Sequence, residues 1–179
     1  MIERVLESTA AGKDTFKHRG FQKAFRFARD YWVEDFEHQV LDLFARECPW
    51  GDFRNDINPV FKENDQTNMS MDAIDCLKSF GTATVEIILC DPPFSSRQAQ
   101  EKYDIGCANL YTKPDYISAM NKEIYRVLTH RGLVIKAGYN SNAPDPRLQL
   151  VKMYISHYGA SRNDVIFTIW KKCETTLID

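Results

Sequence analysis

Asp91-Pro92-Pro93-Phe94 follows directly on the apolar run Val85-Glu86-Ile87-Ile88-Leu89-Cys90. A carboxylate, two prolines with free carbonyl oxygens and an aromatic ring thus stand in successive positions, a compact set of acceptors beside a stacking surface. Proline has a fixed φ, donates no backbone hydrogen bond and restricts the residue before it, so the run must end here in a stiff corner. Three further acids, Asp42, Asp56 and Asp72, fall in or just after other short apolar segments. Carboxylates so placed accept hydrogen bonds from hydroxyl and amino groups and attract a ligand carrying positive charge. No GxxxxGK[S/T] segment occurs, which argues against a P-loop nucleotide hydrolase. A nucleoside with a sulfonium or ammonium tail suits these acids better than an unescorted polyphosphate.

The elements that must position these groups follow from hydrophobic periodicity and turn residues. Strands are expected over Gln39–Phe44, up to Asp56 before Asn58-Pro59, very briefly before Met71-Asp72-Ala73, over Thr84–Cys90, over Leu133–Ala137 and over Asp164–Trp170. Helices are expected over residues 19–32, with Phe21, Phe25, Ala28 and Trp32 as the apolar stripe, and over Ala73–Ser79 before Gly81. A third runs over Asp115–Leu128, with Ile117, Met120, Ile124 and Leu128 buried and Gly132 as its stop, and a fourth over residues 147–158 ending at Gly159. Strands alternating with helices imply an α/β fold with a mostly parallel sheet. In such a sheet the strand ends lie side by side, so the four acids would share one crevice. The second stripe of the first helix, Arg19, Lys23 and Arg26, reads as a solvated face. The connection Ser95–Thr112 is long enough to carry function.

With 179 residues, 44% hydrophobic and 27% charged, the chain can build the core of one ordinary domain. Its net charge of −2 argues against a strongly basic coat protein but is compatible with a local basic patch. No apolar run approaches the roughly 20 residues of a membrane span, and Met1–Asp14 lacks the apolar centre of a secretory signal. Cys48, Cys76, Cys90, Cys107 and Cys173 are scattered with no CxxC pair, the usage of reduced thiols in a cytoplasmic protein. His18, His38, His130 and His157 are equally dispersed, which speaks against a metal site.

Asp91-Pro92-Pro93-Phe94 resembles the catalytic motif (Asp/Asn/Ser)-Pro-Pro-(Tyr/Phe/Trp) of the S-adenosylmethionine-dependent amino-methyltransferases, in the Asp form typical of the DNA adenine-N6 branch. Upstream, Val40-Leu41-Asp42-Leu43-Phe44-Ala45 resembles the cofactor loop, Asp56-Ile57-Asn58-Pro59 the acidic ribose motif and Met71-Asp72-Ala73 the motif beside the adenine. Phe16-Lys17-His18-Arg19-Gly20 resembles, more weakly, the motif that touches the methionine moiety. The likeness covers roughly residues 16–137. It departs from the family in the cofactor loop, where Phe-x-Gly-x-Gly is replaced by Phe44-Ala45-Arg46-Glu47-Cys48 with no glycine before Gly51.

The resemblance implies a class I methyltransferase fold, Rossmann-like with helices on both faces, as one domain over residues 1–179 without a separate target-recognition region. It implies S-adenosylmethionine as cofactor, held by Lys17, Asp42, Phe44, Ala45, Arg46, Asp56, Ile57, Asp72 and Ala73. Asp91, Pro92, Pro93 and Phe94 would act on an exocyclic amine, and Ser95, Arg97, Lys102 and Tyr103 would touch the substrate. The expected activity is adenine-N6 methylation of DNA with low or short-context specificity, a protein partner being one possible source of more. The alternatives are N-methylation of guanine N2 or adenine N6 in RNA, and a catalytically silent methyltransferase-like binding subunit.

Overall fold

The computed structural model describes residues 1–7, 14–31, 39–93, 113–158 and 163–173. Its strands are β1 (Ile2–Leu6), β2 (Val40–Asp42), β3 (Phe53–Arg54), β4 (Val85–Cys90), β5 (Leu128–Gly138), β6 (Leu148–His157) and β7 (Val165–Lys172). The helices are α1 (Arg19–Asp30), α2 (Pro59–Glu63), α3 (Ala73–Lys78) and α4 (Pro114–Val127). Together the strands make one sheet in the order β1-β6-β7-β5-β4-β2-β3. β7 runs antiparallel to β5 and β6, and every other described pairing is parallel. The carboxyl ends of β2, β3, β4 and β5 therefore emerge on one edge.

The central strands are apolar on both sides because helices cover both. Ile87, Ile88 and Leu89 are all essentially sealed from solvent, as expected of a parallel strand between two layers. Ile88 joins Leu41, Leu77, Ile124 and Val134 under α3 and α4. Ile87 and Leu89 join Phe21, Ala24, Phe25, Ile135 and Phe167 under α1.

Helix starts are satisfied in different ways. Asn58 caps α2 by accepting from the Val60 amide at 3.1 Å, and Asp72 caps α3 by accepting from Ile74 at 2.9 Å. α1 has no side-chain cap from His18. Glu7 replaces it: its carboxylate accepts from the Arg19 and Gly20 amides at 2.9 and 2.8 Å and from the Ser156 hydroxyl at 2.5 Å. A negative charge on those orphan amides also suits the helix dipole. One side chain thus joins the end of β1 to α1 and β6.

Several expectations are corrected. Residues 147–158 are not a helix but β6. Leu148, Val151, Ile155 and Tyr158 imitate a helical face at i, i+3, i+7 and i+10, yet strand pairing prevails because β6 fills the place between β7 and β1 and bonds to both. β1 itself was hidden in a polar N-terminal stretch, in which Val5 alone among the described residues 1–7 is buried. Gly132 does not stop α4: the helix passes straight into β5 at Leu128. The chain then makes a corner through Arg131, at φ 66°, and the register with β4 jumps from Val85–Leu128 to Ile87–Leu133. Ile117 is exposed, and Val127 is buried in the α4 face instead. The short third strand is a single bridge, Asn55 to Met69. α1 ends at Asp30, and Trp32 lies outside the described residues. Among the described residues no helix is long and apolar enough to cross a membrane.

Gly20 is held by space rather than by φ. A Cβ there would collide with Ser156 Oγ and come within 2.9 Å of the Phe167 ring, and Ser156 is already committed to Glu7. Gly20→Ala is expected to destabilise the fold by about 1–3 kcal/mol, read from the urea midpoint at unchanged m-value.

Candidate active site

β2 is short because its last residue turns its side chain back on the chain. Asp42 Oδ1 accepts from the Phe44 amide at 3.2 Å, closing a tight local turn. The Leu43 amide still reaches Leu89 O in β4 at 3.1 Å, and the Asn55 amide reaches Asp42 O at 2.8 Å. The loop after β2 is thereby pinned between its two neighbours.

Asn55 fastens this edge, and sequence reasoning missed it. It is 1% exposed. Its carbonyl accepts from Ala45 at 2.8 Å. Its side-chain amide donates to Leu43 O at 3.3 Å and Met71 O at 3.0 Å, while its Oδ1 accepts from the Met71 amide at 3.1 Å. Three segments that carry site residues thus meet on one buried side chain. The available signal was a polar residue just after a strand, and it was overshadowed by the neighbouring Asp56.

Arg46 occupies the position of the first glycine in Phe-x-Gly-x-Gly and adopts φ 47°. This is the left-handed region that glycine enters freely and arginine does not, at a local strain of about 1 kcal/mol or more. The Arg46 guanidinium lies 3.9 Å from Asp14 and 6.0 Å from the centre of the Phe61 ring.

A crevice opens between this loop, the β4 end and the turn before α1. Its walls include Phe16, Asp42, Phe44, Arg46, Cys48 and Asp91. Asp91 and Pro92 are half-buried and Pro93 is buried, and of the bend it is Asp91 that lines the crevice. Asp42 is 3% exposed. Burial pushes its carboxyl up to about 7 against the opposing hydrogen bonds from the Cys48 thiol and the Phe44 amide, with Asp91 and Asp56 adding like charge. Burial and the Asp42 charge hold the Cys48 thiol far above the ordinary thiol range. Cys90, next to the bend, is pushed up to about 12 by burial and serves as a small apolar side chain.

Asp56 is also raised, again chiefly by burial, with the amides of Asn58 and Arg46 and the Arg46 charge offsetting part of that cost. Its Oδ1 accepts from Asn58 at 2.9 Å, whereas its Oδ2 is buried and has no hydrogen-bond partner among the described residues. An orphaned acceptor of this kind is rare in a finished interior and fits a hydroxyl donor.

The predicted residues divide accordingly. Asp42, Phe44, Ala45, Arg46 and Asp91 line one crevice, joined by Phe16 and Cys48. Lys17 is exposed, its ammonium on Asp14 at 2.7 Å. Asp72 spends one oxygen on the α3 cap and the other on the Tyr116 hydroxyl at 2.6 Å, and Ala73 packs in the core. Asp56 and half-buried Ile57 sit in the turn before α2. Phe94, Ser95, Arg97, Lys102 and Tyr103 lie outside the described residues. Among the described residues no group of three or more His, Cys, Asp or Glu side chains could hold a metal ion.

No protein-family model matches the chain, and a search of curated proteins returns no match. Solved structures do match. The N-methyltransferase NodS of Bradyrhizobium japonicum, crystallised with S-adenosylhomocysteine, superposes with a TM-score of 0.55 at 11% identity, over 94% of this chain and 93% of that one. The 1,6-didemethyltoxoflavin-N1-methyltransferase of Burkholderia thailandensis, with 1,6-didemethyltoxoflavin and S-adenosylhomocysteine bound, gives 0.57 at 11% over 91% and 83%. The chain has the class I methyltransferase fold. TrmN of Thermus thermophilus shares it, at 0.51 and 13% identity over 85% of this chain and 48% of that one. At such identities the likeness extends to the methyltransferase architecture, and the chemistry must be argued from the crevice.

The sign of the Asp42 effect is fixed by its direction. A carboxyl raised to about 7 from 3.8 binds its proton more tightly folded than unfolded, so stability falls as pH rises from about 4 to about 7. By about 1.36 kcal/mol per unit this reaches roughly 4 kcal/mol. Asp42→Asn, which keeps an acceptor for Phe44, is expected to flatten that decline and raise the urea midpoint at pH 8. Arg46 supplies a backbone check. Arg46→Gly should leave stability unchanged or raise it by up to about 1 kcal/mol, whereas Arg46→Val should lower it by about 1–2 kcal/mol, both read from thermal melts.

Proposed function

We propose that the chain transfers the methyl group of S-adenosylmethionine to the exocyclic N6 amine of adenine in DNA, with little or only short-context sequence selectivity. The observation that carries this is the half-buried Asp91-Pro92 bend at the tip of β4, whose Asp91 lines the same crevice as Asp42 and the Phe44–Arg46 loop.

The crevice has the donor set that the cofactor needs. Asp42 and Asp14 offer negative charge to a cationic tail, and Arg46 offers positive charge to its carboxylate. Asp56 lies outside the crevice lining, and its buried Oδ2, without a partner among the described residues, could accept from a ribose hydroxyl only once uncovered. When bound, the cofactor supplies an activated methyl group on a sulfonium centre. The chain's own residues do the rest. Asp91 and the Pro92 carbonyl accept the two N–H protons of the target amine, whose lone pair is otherwise delocalised into the purine. That pulls the nitrogen toward tetrahedral geometry and aims it. Asp91 also stabilises the positive charge growing on the amine as its nitrogen takes the methyl group from sulfur, and the methylated amine returns to neutrality by releasing one N–H proton through Asp91 to solvent. Phe94, next in sequence, supplies a ring against the base once it has left the helical stack, an interaction worth about 1–3 kcal/mol. Holding amine and methyl in line is then the larger part of the catalysis. The charge on Asp42 enters too: its ionised form favours a cationic ligand, so cofactor affinity should rise as pH increases through about 7.

Incubation with methyl-labelled S-adenosylmethionine and, separately, single-stranded DNA, duplex DNA and bulk RNA decides the substrate. Label recovered as N6-methyladenine from DNA is the expected result. Label only in RNA would transfer the proposal to a guanine-N2 or adenine-N6 RNA enzyme, and cofactor binding without transfer would indicate a silent binding subunit. Asp91→Ala should abolish transfer while leaving cofactor affinity, measured by calorimetry, within a few-fold. Retained turnover would remove Asp91 from its role.

A further inference from the structure

The basic stripe of α1 is joined to the crevice by aromatic rings. Trp50, in the connection after β2, lies flat on the helix, stacked on Phe25 at 4.9 Å and 14° and on Phe21 at 5.5 Å and 13°. Phe16 meets the indole edge-on at 6.2 Å. The indole remains partly exposed and, with Gln22, Phe25, Arg26, Arg29 and Asp30, lines an open groove along α1. Phe16 and Phe21 also wall the crevice that contains Asp42 and Asp91, so the groove begins where the crevice ends.

The charge on this groove is out of keeping with the chain. α1 carries Arg19, Lys23, Arg26 and Arg29 against a single acid, Asp30, within a chain of net charge −2. Lys23 is paired with Glu3 at 2.5 Å. Arg26 and Arg29 are exposed and make no ion pair among the described residues. They stand three residues apart, about 4.5 Å along a helix axis, a distance comparable to the rise of about 3.4 Å per nucleotide along one DNA strand.

We infer that this groove holds the sugar-phosphate backbone of the nucleic-acid substrate, with Arg26 and Arg29 on phosphates and the Trp50 indole against a base flanking the one that enters the crevice. The assignment rests on the nucleic-acid reading of the crevice given above. It supplies a sequence-independent grip beside the chemistry, from cations for the backbone and an aromatic ring for any base.

Binding of a fluorescein-labelled single strand of about 20 nucleotides, followed by anisotropy between 50 and 200 mM salt, tests it. Arg26→Gln/Arg29→Gln removes two cations from an exposed face, and a thermal melt confirms that the fold is kept. The expected result is roughly tenfold weaker binding at the lowest salt and a slope of log K against log salt shallower by about 1.4. Lys78→Gln/Lys122→Gln, which removes two exposed charges from the opposite helix layer, should leave both unchanged. Trp50 emission should be quenched by the bound strand in the parent chain. An unchanged slope in the arginine variant, or no binding by the parent, overturns the inference. Label transfer to nucleic acid with an unchanged slope would sink the groove alone, whereas a reduced slope without label transfer would sink the methylation reading and leave the groove standing.

Discussion

Leu41 and Ile88 face one another across two parallel strands, both fully buried, and the arrangement of the site follows from that registry. With Asp42 opposite Leu89 and the Leu43 amide bonded to Leu89 O, the loop after β2 and the bend after β4 leave the sheet side by side. Side chains alternate along a strand, so a slip of one residue would send every apolar group of β2 to the wrong layer. The two apolar layers therefore specify the registry far more strongly than any contact at the edge could. Asn55 then stiffens what the registry has placed, tying the loop after β2 to the segment before α3.

The edge carries costs that the core offsets. Asp42 and Asp56 are carboxyl groups in near-complete burial, and neither has a cationic partner at ion-pair distance among the described residues. Arg46 takes up a backbone conformation that disfavours its side chain. Clustering of such features beside one cavity is the usual mark of a site shaped for a ligand. The Cys48 thiol, raised by the same burial, is a donor to Asp42.

Much of the fold was legible because its strong signals were local. The run Val85–Cys90 ends where its prolines demand, and α1, α3 and α4 follow their apolar spacing to within a few residues of their ends. What could not be read depended on partners distant in sequence. β1 exists because β6 offers it an edge, and β6 is a strand because β7 does. Nothing in Leu148–His157 alone excludes a helix. At the site, the acids that close β2 and follow β4 were visible as residue types at strand ends, and they line one crevice. Asp72 shows the reverse: an acid before a helix is equally a cap, and here its oxygens serve the helix and Tyr116. The left-handed turn at Arg46 was unreadable because glycine is the customary marker of that geometry, and the marker is missing.

The pairing of residue 2 with residue 153 has a consequence for how the chain is made. β1 is made long before its partner, since β6 must be synthesised and docked on β7 before β1 has an edge to join. Contacts so remote in sequence form late. Until then Ile2, Val5 and Leu6 remain as an unsheltered strand on a nascent chain, a segment for chaperones to hold or neighbouring chains to capture. Glu7 ties the same edge to the helix layer, since one carboxylate joins the end of β1 to α1 and to Ser156 of β6.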